Sequence, residues 1–254
     1  MKKWYIAGAG LLALICLLCL ALFLLPMEGR SSETEKKVQE TLEASAKGLP
    51  GGTQPEETGE YSSPVDFESL RQVNPDIYAW IYIPDTTINY PVLQHASEDD
   101  YYLRRNSFGD YDRAGSIYSQ VSYNSTDFND PVTVLYGHNM SSGTMFHPLQ
   151  EIYSSAEGME EYPNILIYLP DEERRYTVFA AVPYSTYHLL YNLDFSDAHI
   201  YEAFLETVGN VRAMEAHFNS SIAVTPSDRM LILSTCLNHN PNKRYLVLAK
   251  EETR

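Results

Sequence analysis

The chain changes texture three times. From Trp4 to Leu25 there are 22 residues without a charge, which as a helix at ~1.5 Å per residue would span ~33 Å, the thickness of a bilayer core. The pattern predicts one uncleaved transmembrane anchor over residues 4–25. Lys2 and Lys3 lie before it and Glu28 follows, so the basic-residue bias leaves residues 1–3 in the cytoplasm and the rest outside. A cleaved signal peptide would need a shorter apolar stretch and a small-residue cleavage site, which Ala21-Leu22-Phe23-Leu24 does not offer. A lipoprotein would need small residues before Cys16 or Cys19, where Ile15 and Leu18 stand.

Residues 26–63 mix Glu, Lys, Ser, Gly and Thr around Gly48-Leu49-Pro50-Gly51-Gly52. Such a composition reads as a flexible linker. Residues 64–254 are a folded domain by their closely spaced aromatic and β-branched residues. Phe67, Leu70 and Val73 predict a short amphipathic helix stopped by Asn74-Pro75. Short strand-like runs follow at Ala79–Ile83, Tyr90–Leu93, Gly115–Ser119, Val132–Tyr136, Ile165–Leu169, Tyr176–Val182, Ile222–Val224, Met230–Ser234 and Tyr245–Ala249. Many short strands divided by turn residues predict a mainly β domain, a closed barrel or a sandwich. One stretch departs from this. Ser196-Asp197 precedes Ile200, Phe204, Val208 and Val211, which predicts a capped amphipathic helix of roughly four turns on the outside.

Charge narrows the function. With 34 acidic against 18 basic residues the formal net charge is -16, so no basic patch is available to neutralise phosphates and nucleic-acid binding is excluded. Beyond residue 25, Lys2 and Lys3 drop out and 16 basic residues face 34 acidic ones, a charge that keeps a tethered domain soluble.

Cys16 and Cys19 belong to the apolar anchor, which leaves Cys236 as the one thiol of the exterior part. A lone exterior thiol has either a use or a deeply buried structural place. Met230–Leu233 leads into Ser234-Thr235-Cys236, then the polar run Leu237–Lys243, then Arg244 at the start of another strand-like run. Two strands joined by a seven-residue loop would put Cys236 and Arg244 at one end, where a guanidinium can hold a thiolate's field or donate to a substrate carbonyl. A cysteine nucleophile also needs a base or ion-pair partner. His138 stands at the abrupt end of the Val132–Tyr136 strand, in Gly137-His138-Asn139-Met140. His239 is the rival base, in a polar loop. His95, His147, His188, His199 and His217 read as surface or packing residues.

On these residues the chain resembles a class B sortase, a membrane-anchored cysteine transpeptidase of Gram-positive bacteria, over about residues 74–250. The matching pieces are Asn74-Pro75-Asp76 with Trp80, Tyr90–Gln94, Tyr101-Tyr102-Leu103, Gly115-Ser116-Ile117, Tyr136–Met140, Met145-Phe146, Leu233–Cys236, and Arg244 with Val247–Lys250. Ile232 departs from the family, which usually has Thr there, and the Cys-to-Arg loop varies in length. The resemblance implies an eight-stranded β-barrel with N-terminal helix or helices and a long helix before the penultimate strand. It implies that Cys236 attacks the carbonyl after Thr in an Asn-Pro-x-Thr sorting signal, that His138 protonates the leaving amine, and that Arg244 positions and stabilises charge. Ser234, Leu190 and Tyr191 would line the peptide groove. Expected partners are surface proteins bearing sorting signals and a cell-wall or pilin amine; no cofactor is expected.

Two other functions use the same residues. A cysteine peptidase would resolve the acyl enzyme with water, and a non-catalytic surface-binding module would simply bury Cys236. Glu98-Asp99-Asp100 reads as a solvated loop rather than a calcium site, and no Cys or His cluster has zinc spacing.

Overall fold

The computed structural model describes residues 61–252; the predicted anchor and most of the predicted linker lie outside them. Among the described residues no helix is long and apolar enough to cross a membrane. Helix α1 (Phe67–Val73) forms as its periodicity predicts, with the Asp66 carboxylate accepting from the Ser69 amide at its start and Asn74 as its C-cap. Strands β1 (Ile77–Tyr82), β2 (Asn89–Leu93), β3 (Ile117–Tyr118), β4 (Val132–Tyr136), β5 (Asn164–Tyr168), β6 (Glu173–Ser185), β7 (His217–Phe218), β8 (Met230–Leu237) and β9 (Asn240–Glu251) make one sheet. Its order is β5-β1-β2-β3-β4-β8-β9-β6-β7. A further β5–β6 pairing closes eight of these strands into a barrel, with β7 hydrogen-bonded to the far half of β6. Closure, which removes free strand edges, decides between the barrel and the sandwich that the strand pattern left open.

The period-2 alternation of the strands sorts their side chains onto two faces. Leu135, Leu231, Leu233, Tyr245, Val247 and Ala249 fill the interior with Ile81, Ile167 and Phe146. Val134, Ile232, Leu246 and Leu248 point outward, where α4 (Leu189–Asn192), α5 (Ala198–Gly209) and the segment between them cover them with Leu189, Phe195, Tyr201, Phe204 and Val208. Ile232 is fully buried in this outer layer, so an apolar contact stands where the resemblance expects a Thr hydroxyl. A register shift between Val178 and Ala180 lets β6 send Val178 inward yet Ala180 and Val182 outward.

Several boundaries differ from the sequence pattern. Ile222–Val224 is not a strand; β7 lies earlier, and Ile222 and Val224 pack half-buried against the outer layer. Helix α5 is 12 residues, started by Asp197 and ended at Asn210, so Val211 falls beyond it. The Gly115–Ser119 strand shrinks to two residues. The predicted seven-residue loop is a two-residue turn, Asn238-His239, because β9 begins at Asn240 and Leu237 pairs with it. His239 takes φ 59 there, and the residues between Asn240 and Arg244 are absorbed as an irregularity in β9. Helices α2 (His147–Tyr153) and α3 (Ala156–Glu161) did not show in the pattern. Each is only two turns or less, too short for a clear period.

Candidate active site

The site forms where parallel strands β4 and β8 run off the same edge of the barrel. They pair with a constant offset of 98 residues from Val132↔Met230 to Tyr136↔Ser234. Two further hydrogen bonds carry that alignment past the strand end, Gly137 N–H to the Ser234 carbonyl (3.2 Å) and Thr235 Oγ1 to the Gly137 carbonyl (2.8 Å). The same offset puts His138 alongside Cys236. On its other side Cys236 is the antiparallel partner of Arg244, which pairs in turn with Tyr184 of β6. Alternation puts Cys236, Arg244 and Tyr184 on the outward face with Val134 and Ile232, one row across β8, β9 and β6, and His138, on the turn after β4, extends the row by the same offset.

Within the row the Arg244 guanidinium donates from Nη1 to Cys236 Sγ at 3.3 Å. Cys236 is a free thiol, half-buried rather than deeply buried. His138 is half-buried, and its Nε2 lies 2.8 Å from the Leu103 carbonyl. A carbonyl only accepts, so Nε2 holds a proton and Nδ1 is left to exchange one.

The Leu103 carbonyl is itself fixed. It belongs to the 3-10 turn Tyr101–Arg104, where the Tyr102 hydroxyl donates to Asp76 (2.7 Å) and accepts from Asn74 Nδ2 (2.8 Å). Gly115, at φ +60, runs so close beneath the turn that a Cβ there would sit 2.5 Å from the Leu103 oxygen.

Tyr118 and Tyr136 flank the row, their rings 5.5 Å apart. Burial pushes both phenols up, with the Asp100 carboxylate adding to it and the Arg244 charge opposing it. Asp100 Oδ1 accepts from Tyr118 and Gln120, and Asp99 accepts from the Ser122 amide. Those two carboxylates therefore tie their loop to the barrel while Glu98 and Asp100 stay exposed to solvent. Among the described residues no group of His, Cys, Asp and Glu is placed to hold a metal ion.

The remaining predicted residues lie along the same face. Ser234 is buried in β8, two residues before Cys236. Leu190 is half-buried against the outer layer and Tyr191 is exposed, both on α4. His188 caps α4 by accepting from the Tyr191 amide and sits between Tyr123 (5.0 Å) and Tyr136 (6.4 Å), which joins α4 to the row. His239 is exposed in the turn. His147, read from the sequence as a surface or packing residue, hydrogen-bonds Asn139 at 2.6 Å and so belongs to the site's surroundings. The sequence carried no sign of this, because the pairing depends on where α2 docks.

A free thiol on the barrel rim, with a guanidinium on its sulfur and a histidine on the turn that follows the neighbouring strand, is suited to thiol acyl transfer. Residues 81–252 match the Sortase domain family. Sortase B of Listeria monocytogenes is 30% identical over 171 residues, covering 67% of each chain. Sortase B of Staphylococcus aureus is 32% identical over 186 residues, covering 72% of this chain and 73% of the relative. Among solved structures, sortase B from Bacillus anthracis in complex with AAEK1 superposes with TM-score 0.68 at 29% identity, covering 87% of this chain and 97% of that one. A Staphylococcus aureus sortase B–substrate complex has TM-score 0.68 at 28% identity, covering 90% and 99%. The chain belongs to the sortase family, its relatives are class B members, and its general function is that of a cysteine transpeptidase.

Proposed function

We propose that this protein cleaves a C-terminal sorting signal of the Asn-Pro-x-Thr type after Thr and transfers the released acyl group to a cell-wall or pilin amine. The observation that carries the reading is the Arg244–Cys236 contact at 3.3 Å, on a row that includes His138. Cys236 attacks the Thr carbonyl carbon as the thiolate. The tetrahedral oxygen takes a hydrogen bond from Arg244, which stays protonated throughout and acts by position and charge. The C–N bond breaks as His138 gives its Nδ1 proton to the leaving amine. An incoming amine then attacks the thioester, passes a proton back to Nδ1, and the new amide leaves as Cys236 returns to thiolate.

Ser234, Leu190 and Tyr191 are proposed to line the peptide groove on the outward face beside Tyr136 and Tyr184. The sequence pattern supports the accompanying layout: residues 1–3 in the cytoplasm, residues 4–25 as an anchor, residues 26–63 as a tether, and the catalytic domain from residue 64 outside the membrane. Half-exposure of Cys236 argues against a binding module with a buried structural thiol.

The test uses the purified full chain in detergent with peptides containing Asn-Pro-x-Thr or Leu-Pro-x-Thr-Gly, with and without oligoglycine or diaminopimelate amines, read by mass spectrometry. A peptide–amine adduct that disappears in Cys236→Ala is expected. Hydrolysis that no amine diverts would replace the reading with a cysteine peptidase, and turnover retained in Cys236→Ala would overturn it.

A further inference from the structure

Beyond the Gly137 and Thr235 hydrogen bonds, the backbone ladder between β4 and β8 stops, yet His138 and Cys236 lie one residue further on. Asn139 provides the next link. Its Nδ2 donates to the Cys236 carbonyl (2.8 Å) and to Asn238 Oδ1 (2.7 Å). Both partners are oxygens that can only accept, so the amide orientation is determined: the nitrogen faces the Cys236 strand and Oδ1 faces away. Oδ1 meets His147 Nδ1 at 2.6 Å. Since Oδ1 can only accept, Nδ1 of His147 must be the donor.

Helix α2 anchors this link from behind. His147 begins it, and His147 Nε2 lies 3.2 Å from Glu151 one turn on. Gln150, on the same helix and almost fully buried, accepts from the Asn238 amide (2.8 Å). The turn between His138 and α2 is pinned by the Phe146 amide on the His138 carbonyl (2.9 Å) and by the Asn139↔Met145 bridge. Helix α2 therefore holds the His138 turn through His147 and the Cys236 hairpin through Gln150. Asn139 is the side chain that touches both.

We infer that Asn139, oriented by His147, is a positioning residue that sets the separation of His138 from Cys236, and with it the rate of acyl transfer. The inference rests on the catalytic roles proposed above for those two residues. Asn139 reaches the nucleophile only through its backbone carbonyl, so losing the link misplaces reacting groups without removing a substrate contact. A misplacement of about 1 Å costs up to about 10²-fold in turnover, and a loss confined to positioning lowers kcat with KM kept.

The experiment compares full-length wild type, His147→Leu, His147→Asn and Cys236→Ala in detergent, with an Asn-Pro-x-Thr peptide and the amine acceptor found active, well below each variant's melting temperature. An asparagine at 147 can put its Nδ2 where the histidine Nδ1 now donates, whereas leucine keeps bulk and loses the donor. The expected result is a kcat reduced roughly 10- to 100-fold in His147→Leu with KM within about twofold, and recovered in His147→Asn. Wild-type kcat in His147→Leu, a change confined to KM, or equal impairment of both His147 variants would overturn the inference while leaving the catalytic assignment standing. Turnover in Cys236→Ala would instead overturn that assignment, and the inference with it. If His147→Leu does not fold, Asn139→Ser at its half-exposed turn is measured in its place: the same fall in kcat supports the inference and a wild-type kcat overturns it.

Discussion

Gly137 is the point at which barrel packing meets the row proposed to carry the chemistry, and Gly137→Ala tests that connection. An ideal Cβ on Gly137 would lie 2.5 Å from Ile117 Cδ1 and 2.6 Å from Phe146 Cδ2. Carbon atoms settle at about 3.5–4.0 Å, so the surroundings or the turn must give by roughly 1 Å. Both neighbours are essentially fully buried, in an interior packed to crystal-like density. Overpacking of this kind costs about 1–3 kcal/mol, and at about 2–4 °C per kcal/mol for a domain of this size the melting point should fall by ~2–12 °C. The easier motion is of the Gly137-His138 backbone away from Phe146, which strains the hydrogen bonds to Ser234 and Thr235 and carries His138 with it. With about 1 Å of misplacement worth up to about 10² in rate, turnover on the folded fraction should drop by one to two orders of magnitude. Circular-dichroism melting and the peptide–amine transfer assay read the two effects separately. Wild-type turnover in a folded Gly137→Ala protein would refute the placement of His138 in the chemistry.

Arg244→Lys keeps the charge but loses the planar fork that now reaches Cys236 Sγ, and turnover should fall about 10²–10³-fold while Cys236 still reacts with iodoacetamide; near-normal turnover would contradict the charge-stabilising role. At the far end of the barrel, Arg174 is almost fully buried and bonds Glu172, Glu251, Asn129 and the Phe128 carbonyl. Arg174→Met should cost about 3–5 kcal/mol in urea unfolding, because it leaves buried acceptors unpaired, yet leave kcat unchanged at low temperature. Asp127 is held down to about 2 by the Ser125 hydroxyl, then the Asn129 amide groups, with burial opposing. A depressed carboxyl contributes stability above its unfolded value near 3.9 and loses it as pH falls toward 2. Hydrogen exchange in the 125–130 loop should therefore accelerate in that window in the wild type and not in Asp127→Asn.

The faces of the strands and the chemistry-bearing residue types are legible in the amino-acid sequence. Strand β4 has the bounds that its apolar run predicts, because Pro131 and Gly137 delimit a short β-branched run that is buried on both faces. The lone thiol, the histidine ending a strand and the arginine after it were legible for the same reason, since each is a local departure from an apolar run. Strand β6 begins three residues before the apolar pattern, because Glu173, Arg174 and Arg175 resemble a loop in sequence. The two arginines pair with Glu172 and Glu173, each two residues away, and Arg174 also with Glu251 from the far end of the chain, the one partner that no local pattern reveals.

Closure, register and polar partnership arise from the folding together of distant segments. Whether β5 meets β6 determines barrel against sandwich, and no local period encodes it. The 98-residue offset that aligns His138 with Cys236 is set by how the intervening elements fold back. The Asn139–His147 link follows from that offset and from the docking of α2. Hydrophobic burial repeats along a chain and is readable from it, whereas a directional hydrogen bond between distant segments depends on two atoms arriving within about 3 Å of one another, and that is fixed only when the whole barrel has closed.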